Sequence, residues 1–123
     1  MNINHNVIVI SVKKEAYVDP IKQKVKDLGV NCRTAIANGN PAVAATFTGA
    51  GIREKLLTIA KSFALPEVIE IDSFNHAYLV NQATNKTESL GIASKVESDA
   101  PIQPYVQLGD QRYGFAKSLK KAS

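Results

Sequence analysis

The chain has 123 residues, 45% of them hydrophobic and 21% charged, with a formal net charge of +4. That length supports one modest core and excludes two, and the single cysteine, Cys32, excludes an internal disulfide and reads as a small core residue. No apolar run approaches the roughly 20 residues of a membrane-spanning helix, and the opening MNINHNVIVISVKK lacks the features of a secretory signal, so a cytoplasmic protein, or a virion component, is expected.

Residues 7–12, VIVISV, form a continuous apolar run rich in β-branched residues, the composition of a central strand buried on both faces. Asp19 and Pro20 then read as an N-cap and a first-turn proline. Val18, Ile21, Val25 and Leu28 recur at helical spacing until Gly29 supplies a stop. A strand over 30–37, a turn over 38–41 containing Asn-Gly, and a strand over 42–47 predict a hairpin. A second helix follows Thr48-Gly49-Ala50-Gly51, with Ile52, Leu56, Ile59, Ala60 and Phe63 on one stripe and Pro66 as its stop. Residues 68–71 make a fourth strand.

The order βαββαβ predicts a four-stranded antiparallel sheet with two helices on one face, a ferredoxin-like α+β sandwich occupying residues 1–78. Residues 79–123 read as an extended C-terminal arm. Within it, 81–87 is polar, 90–96 has the character of a short strand, and 105–117 is a candidate terminal hairpin carrying Tyr105, Tyr113 and Phe115. Nothing acidic follows Asp110, so Arg112, Lys117, Lys120 and Lys121 give the arm a basic end. An isolated hairpin is marginal in water, which implies that this one docks on the domain or on a partner.

Enzyme chemistry finds little to work with. Only His5 and His76 titrate near neutral pH, and neither neighbours a serine or cysteine in a nucleophile motif. Gly49-Ala50-Gly51 lacks the lysine and spacing of a phosphate loop. No cofactor or metal is expected. Nucleic acid ranks below a protein partner: a βαββαβ sheet stacks bases on aromatics of its central strands, and here those strands offer only Phe47. The better nucleic-acid feature is the C-terminal mixture of Tyr105, Arg112, Tyr113, Phe115, Lys117, Lys120 and Lys121, which combines cations with stackable rings.

Three segments carry a family resemblance: VIVISVKKEAYVDPIKQKVKDLGV, PAVAATFTGAGIREKLL and LPEVIEIDSFNHAY. Over residues 6–78 they resemble the subtilisin propeptides and their free-standing protease-inhibitor relatives. In that family the sheet packs on two parallel helices of the protease, an acidic pair caps those helices, and the C-terminal segment enters the substrate groove. The resemblance implies that Asn75, His76, Ala77 and Tyr78 fill such a groove, with Tyr78 at the primary pocket, and that Glu70 and Asp72 are the capping acids. Free-standing inhibitors of this kind end near Tyr78, whereas this chain continues.

The expectation is therefore a non-catalytic protein-binding protein, either propeptide-like or an assembly component whose arm wraps a neighbouring subunit, another copy of itself included. On the second reading, a chain ended at Tyr78 is expected to fold as a monomer that no longer assembles.

Overall fold

The computed structural model describes residues 6–12, 14–37, 39–65, 67–96, 105–108 and 111–115. Its strands are β1 (Asn6–Ser11), β2 (Asn31–Ala37), β3 (Asn40–Phe47), β4 (Glu67–Ile71), β5 (His76–Asn81), β6 (Lys86–Val96), β7 (Tyr105–Leu108) and β8 (Gln111–Phe115). Two helices, α1 (Val18–Asp27) and α2 (Ala50–Ser62), join β1 to β2 and β3 to β4.

The eight strands close into an antiparallel barrel in the order β1-β3-β2-β7-β8-β6-β5-β4, with β4 returning to pair with β1. This corrects the ferredoxin-like α+β expectation. The strands β4, β1, β3 and β2 do lie side by side, but they are one part of a closed surface rather than a four-stranded sheet with two free edges. The extended arm is corrected with it. Residues 76–96, 105–108 and 111–115 are four further strands, which join β4 on one side and β2 on the other through Ile36↔Gln107 and Ala37↔Val106. A boundary at Tyr78 would cut through β5.

Closure follows from an apolar inner face on every strand, and β1 carries a second apolar face toward the helices. Along β1, Ile8 and Ile10 point out toward the helices while Val9 points into the lumen, which is why VIVISV has no polar alternation. The outer core joins these residues to Ile21 and Val25 of α1, Val43 and Phe47 of β3, and Leu56 and Ala60 of α2. The inner core draws residues from all eight strands and none from the helices. Six of its members are alanines: Ala35, Ala37, Ala42, Ala44, Ala77 and Ala93. An eight-stranded barrel has an interior just wide enough for side chains to fill, so small residues on several strands make room for a large one. Here that is Phe115, fully buried opposite Ala93.

The helix ends follow some local signals and depart from others. Gly29 adopts φ 76° just after α1, and its N–H donates to Lys26 O at 2.9 Å, the left-handed stop expected of glycine. Asp19 is not an N-cap. It lies inside the first turn of α1, which is preceded by a single 3-10 turn at Glu15–Tyr17. Helix α2 ends before reaching Pro66, which lies outside the described residues. Ala64 takes φ 58°, Leu65 N–H donates back to Ala60 O at 3.0 Å, and the buried Leu65 side chain secures the end. Cys32 is partly buried against the outer core, its Sγ 3.8 Å from Lys22 O.

Candidate functional site

The β4–β5 connection brings together the acidic and His-Ala-Tyr residues picked out by sequence. Asp72 Oδ1 accepts hydrogen bonds from the N–H groups of Phe74 (2.9 Å) and His76 (3.0 Å), and Asp72 O accepts from Asn75 N–H at 3.0 Å. Asn75 completes the reversal at φ 65°, a left-handed conformation that asparagine tolerates better than most residues. Its carbonyl accepts from Ala93 N–H at 2.8 Å, which ties the turn to β6. Asp72 is thus committed to its own turn. Replacing it with alanine is expected to cost about 1–2 kcal/mol, because two backbone donors lose their acceptor. Urea denaturation of Asp72→Ala against the parent checks this, and no change in midpoint would refute the assignment.

Glu70 is likewise occupied. It receives a hydrogen bond from Arg53 Nε at 2.8 Å, across from α2, with the two side chains 12% and 33% exposed. Arg53 also reaches Glu54 at 3.3 Å. The hydrogen bond to Glu70 raises the Arg53 pKa, burial opposes it, and the nearby charges of Glu70 and Glu54 reinforce it. A raised cation contributes its stability below its unfolded pKa and loses it only above the folded one, so Arg53 stays charged through the whole neutral range. Neither carboxylate that the propeptide resemblance assigns to capping a partner's helices is unengaged.

The rings of His76 and Tyr78, two residues apart on one strand, stack on the outer face of β5 with centroids 4.7 Å apart and planes 15° apart. His76 Nε2 and Ser89 Oγ of β6 are hydrogen-bonded at 2.7 Å. Ala77 faces inward and is fully buried. A register shift between Ala77 and Tyr78 marks a bulge against β6, where Gly91 takes φ 84°. Both edges of β5 are paired: Tyr78 stands opposite Glu70 of β4 and Ser89 of β6.

Two of the four exposed large hydrophobic residues among those described lie near this pair, the others being Tyr17 and Ile36. Phe74 is 82% exposed at the turn, and Ile92, the β6 partner of His76, is 49% exposed. Neither residue stood out in the sequence as a site. The available signal for Phe74 was an aromatic inside Asp-Ser-Phe-Asn, a turn pattern with no need for a ring.

Of the residues proposed for the basic, aromatic end, Phe115, Tyr113 and Arg112 meet different surroundings. Phe115 lies in the lumen, where no base can reach it. Tyr113 lines an apolar cavity at one end of the barrel, and Arg112 Nη2 donates to Gln107 Oε1 at 3.3 Å on the neighbouring strand. Tyr105 opens β7, paired with Gly114. Lys117, Lys120 and Lys121 lie outside the described residues, as does His5.

Two concavities are lined by described residues. A polar cleft of about 380 Å³ runs between α2 and the β5–β6 hairpin, lined by Arg53, Lys61, Gln82 and Lys86 among others, with Gln82 Nε2 donating to Leu57 O at 2.9 Å. The apolar cavity at the barrel end measures about 210 Å³. Among the described residues no group of three or more His, Cys, Asp or Glu side chains comes together to hold a metal, and no helix is long and apolar enough to cross a membrane.

Comparison with protein-family models, with curated proteins and with solved structures finds no match to this chain.

Proposed function

We propose that this protein is a non-catalytic protein-binding module whose contact face is the β4–β5 turn and the outer surface of β5 and β6. One observation carries the reading: Phe74, 82% exposed, stands on a turn held rigid by the hydrogen bonds to Asp72. A large ring kept in water on a pre-ordered turn loses little further entropy on binding, which is the property of an interface anchor. Ile92 and the stacked His76 and Tyr78 extend the surface around it.

The propeptide resemblance supplies one candidate partner, a subtilisin-type protease. With both edges of β5 hydrogen-bonded inside the barrel, residues 75–78 are not a loose product-like strand, so contact with a protease would run through the outer face instead. The assembly reading likewise moves from a wrapping arm to this same face, with a second copy as partner.

The test compares the full chain with the double variant Phe74→Ser, Ile92→Ser. Two exposed residues contribute little to stability, so the melting temperatures should agree. A protein retained by immobilised parent and lost by the double variant supports the proposal, and an identical retained set for both refutes it. Titration against a subtilisin-type protease and sedimentation of the free protein then decide between protease and self as partner.

A further inference from the structure

Beyond protein binding, we propose that the apolar cavity at the end of the barrel is a binding site for a small, mostly apolar molecule bearing one hydrogen-bond donor, of the size and character of indole. The cavity is lined by Val7 of β1, Ile71 of β4, Ala93 of β6 and Leu108 of β7, with Tyr113 of β8 adding an aromatic wall. Ile71 and Ala93 belong to the inner core and Val7 and Leu108 pack against it, so the cavity is the lumen opening at this end. One small residue in the lining leaves the space: Ala93 stands at a position where a leucine would fill much of the room. A volume of about 210 Å³ exceeds the roughly 150 Å³ cavity that accommodates benzene, which leaves space for a second fused ring.

The polar specification comes from Asn75. It lines the cavity, and its Oδ1 is buried with no donor reaching it among the described residues. A buried acceptor left without a donor is costly, and in a wall whose other side-chain polar groups are the Ser94 and Tyr113 hydroxyls, a turn of the Asn75 amide toward the cavity lets a ligand N–H or O–H satisfy it. The turn holds the Asn75 backbone in place beside the cavity, because it is bonded at both its N–H and its carbonyl. Few polar groups converging on an apolar concavity is the general design of small-molecule sites, and barrel mouths are a common place for them.

The experiment uses the full chain, isotope-labelled for amide NMR, with indole and 1-methylindole as probes. The two have nearly the same shape, but only indole donates a hydrogen bond. Indole should give saturable shifts centred on the amides of Ala93, Leu108 and Tyr113, with a dissociation constant on the order of 0.1–1 mM for so few atoms. 1-Methylindole should bind about tenfold more weakly, the worth of one hydrogen bond to a buried acceptor. Asn75→Gly keeps the left-handed backbone available and removes the acceptor, so the two probes should then bind alike. Ala93→Leu should abolish both. If that variant does not fold, the Asn75→Gly comparison decides by itself. Absence of saturable shifts for both probes, shifts that map elsewhere, or equal affinity of the two probes for the parent would overturn the proposal.

Discussion

A chain ended at Tyr78 is expected to show no cooperative unfolding transition. Such a truncation keeps β1 to β4 and both helices, which the sequence presents as a complete domain, but it removes half of β5 and all of β6, β7 and β8. The pairings of β2 to β7 and of β5 to β6 vanish, leaving β2 with an unpaired edge. The inner faces of the remaining strands, including Val9, Ile69 and Ile71, lose the residues that now cover them. Exposing three such side chains forfeits about 5–8 kcal/mol, comparable with the entire stability of an ordinary domain. A far-UV circular dichroism melt of the truncated chain checks this. A sharp transition near the melting temperature of the full chain would sink the barrel and restore a separable domain.

The second large effect is expected at Phe115. Its side chain is fully buried in the lumen, where the facing residue is Ala93 and much of the remaining wall is alanine. Phe115→Ala should cost about 3–5 kcal/mol, since neighbours that are already small have no side-chain length with which to close the hole. The contrast is Phe74→Ala, the same chemical change at an 82% exposed ring, which should shift stability by no more than about 0.5 kcal/mol. Urea titrations of both variants measure the difference. Equal midpoints would mean that Phe115 is not the residue that fills the barrel.

Both effects follow from a closed barrel that the local sequence pattern conceals. The run VIVISV announced a strand buried on both faces, and β1 is one. In a four-stranded sheet with helices on one side, however, nothing would cover Val9. That second apolar face was the local hint of a lumen. It was obscured because the inward positions of β2 and β3 are alanines, whose weak hydrophobicity makes the alternation in NCRTAIA and NPAVAATF look shallow. Strand β6 is equally hard to see whole in the sequence, since its first four residues, Lys86 to Ser89, are exposed and polar and a glycine bulge interrupts its period at Gly91. The sequence predicts strand over 90–96, and the structure has Lys86–Val96.

For the site, the sequence singles out a segment whose residues the structure keeps together. Glu70, Asp72, Asn75, His76, Ala77 and Tyr78 do sit together on one hairpin. Their present engagements are internal: an ion pair, a turn acceptor, a left-handed reversal, a ring stack and a buried methyl. The surface that faces outward instead includes Phe74 and Ile92, and Ile92 joins the hairpin only through its register with His76.

By itself, the sequence determined the local elements whose causes are local: the apolar stripes of α1 and α2, the left-handed stop at Gly29, the β2–β3 hairpin and the β7–β8 pair. Each depends on residues a few positions apart, so propensity and spacing suffice. Only the tertiary structure decided that the last four strands close the sheet on itself. That choice rests on β2 meeting β7 some 70 residues later in the chain, a pairing that no short-range pattern encodes, and on twelve buried side chains from eight strands sharing one interior.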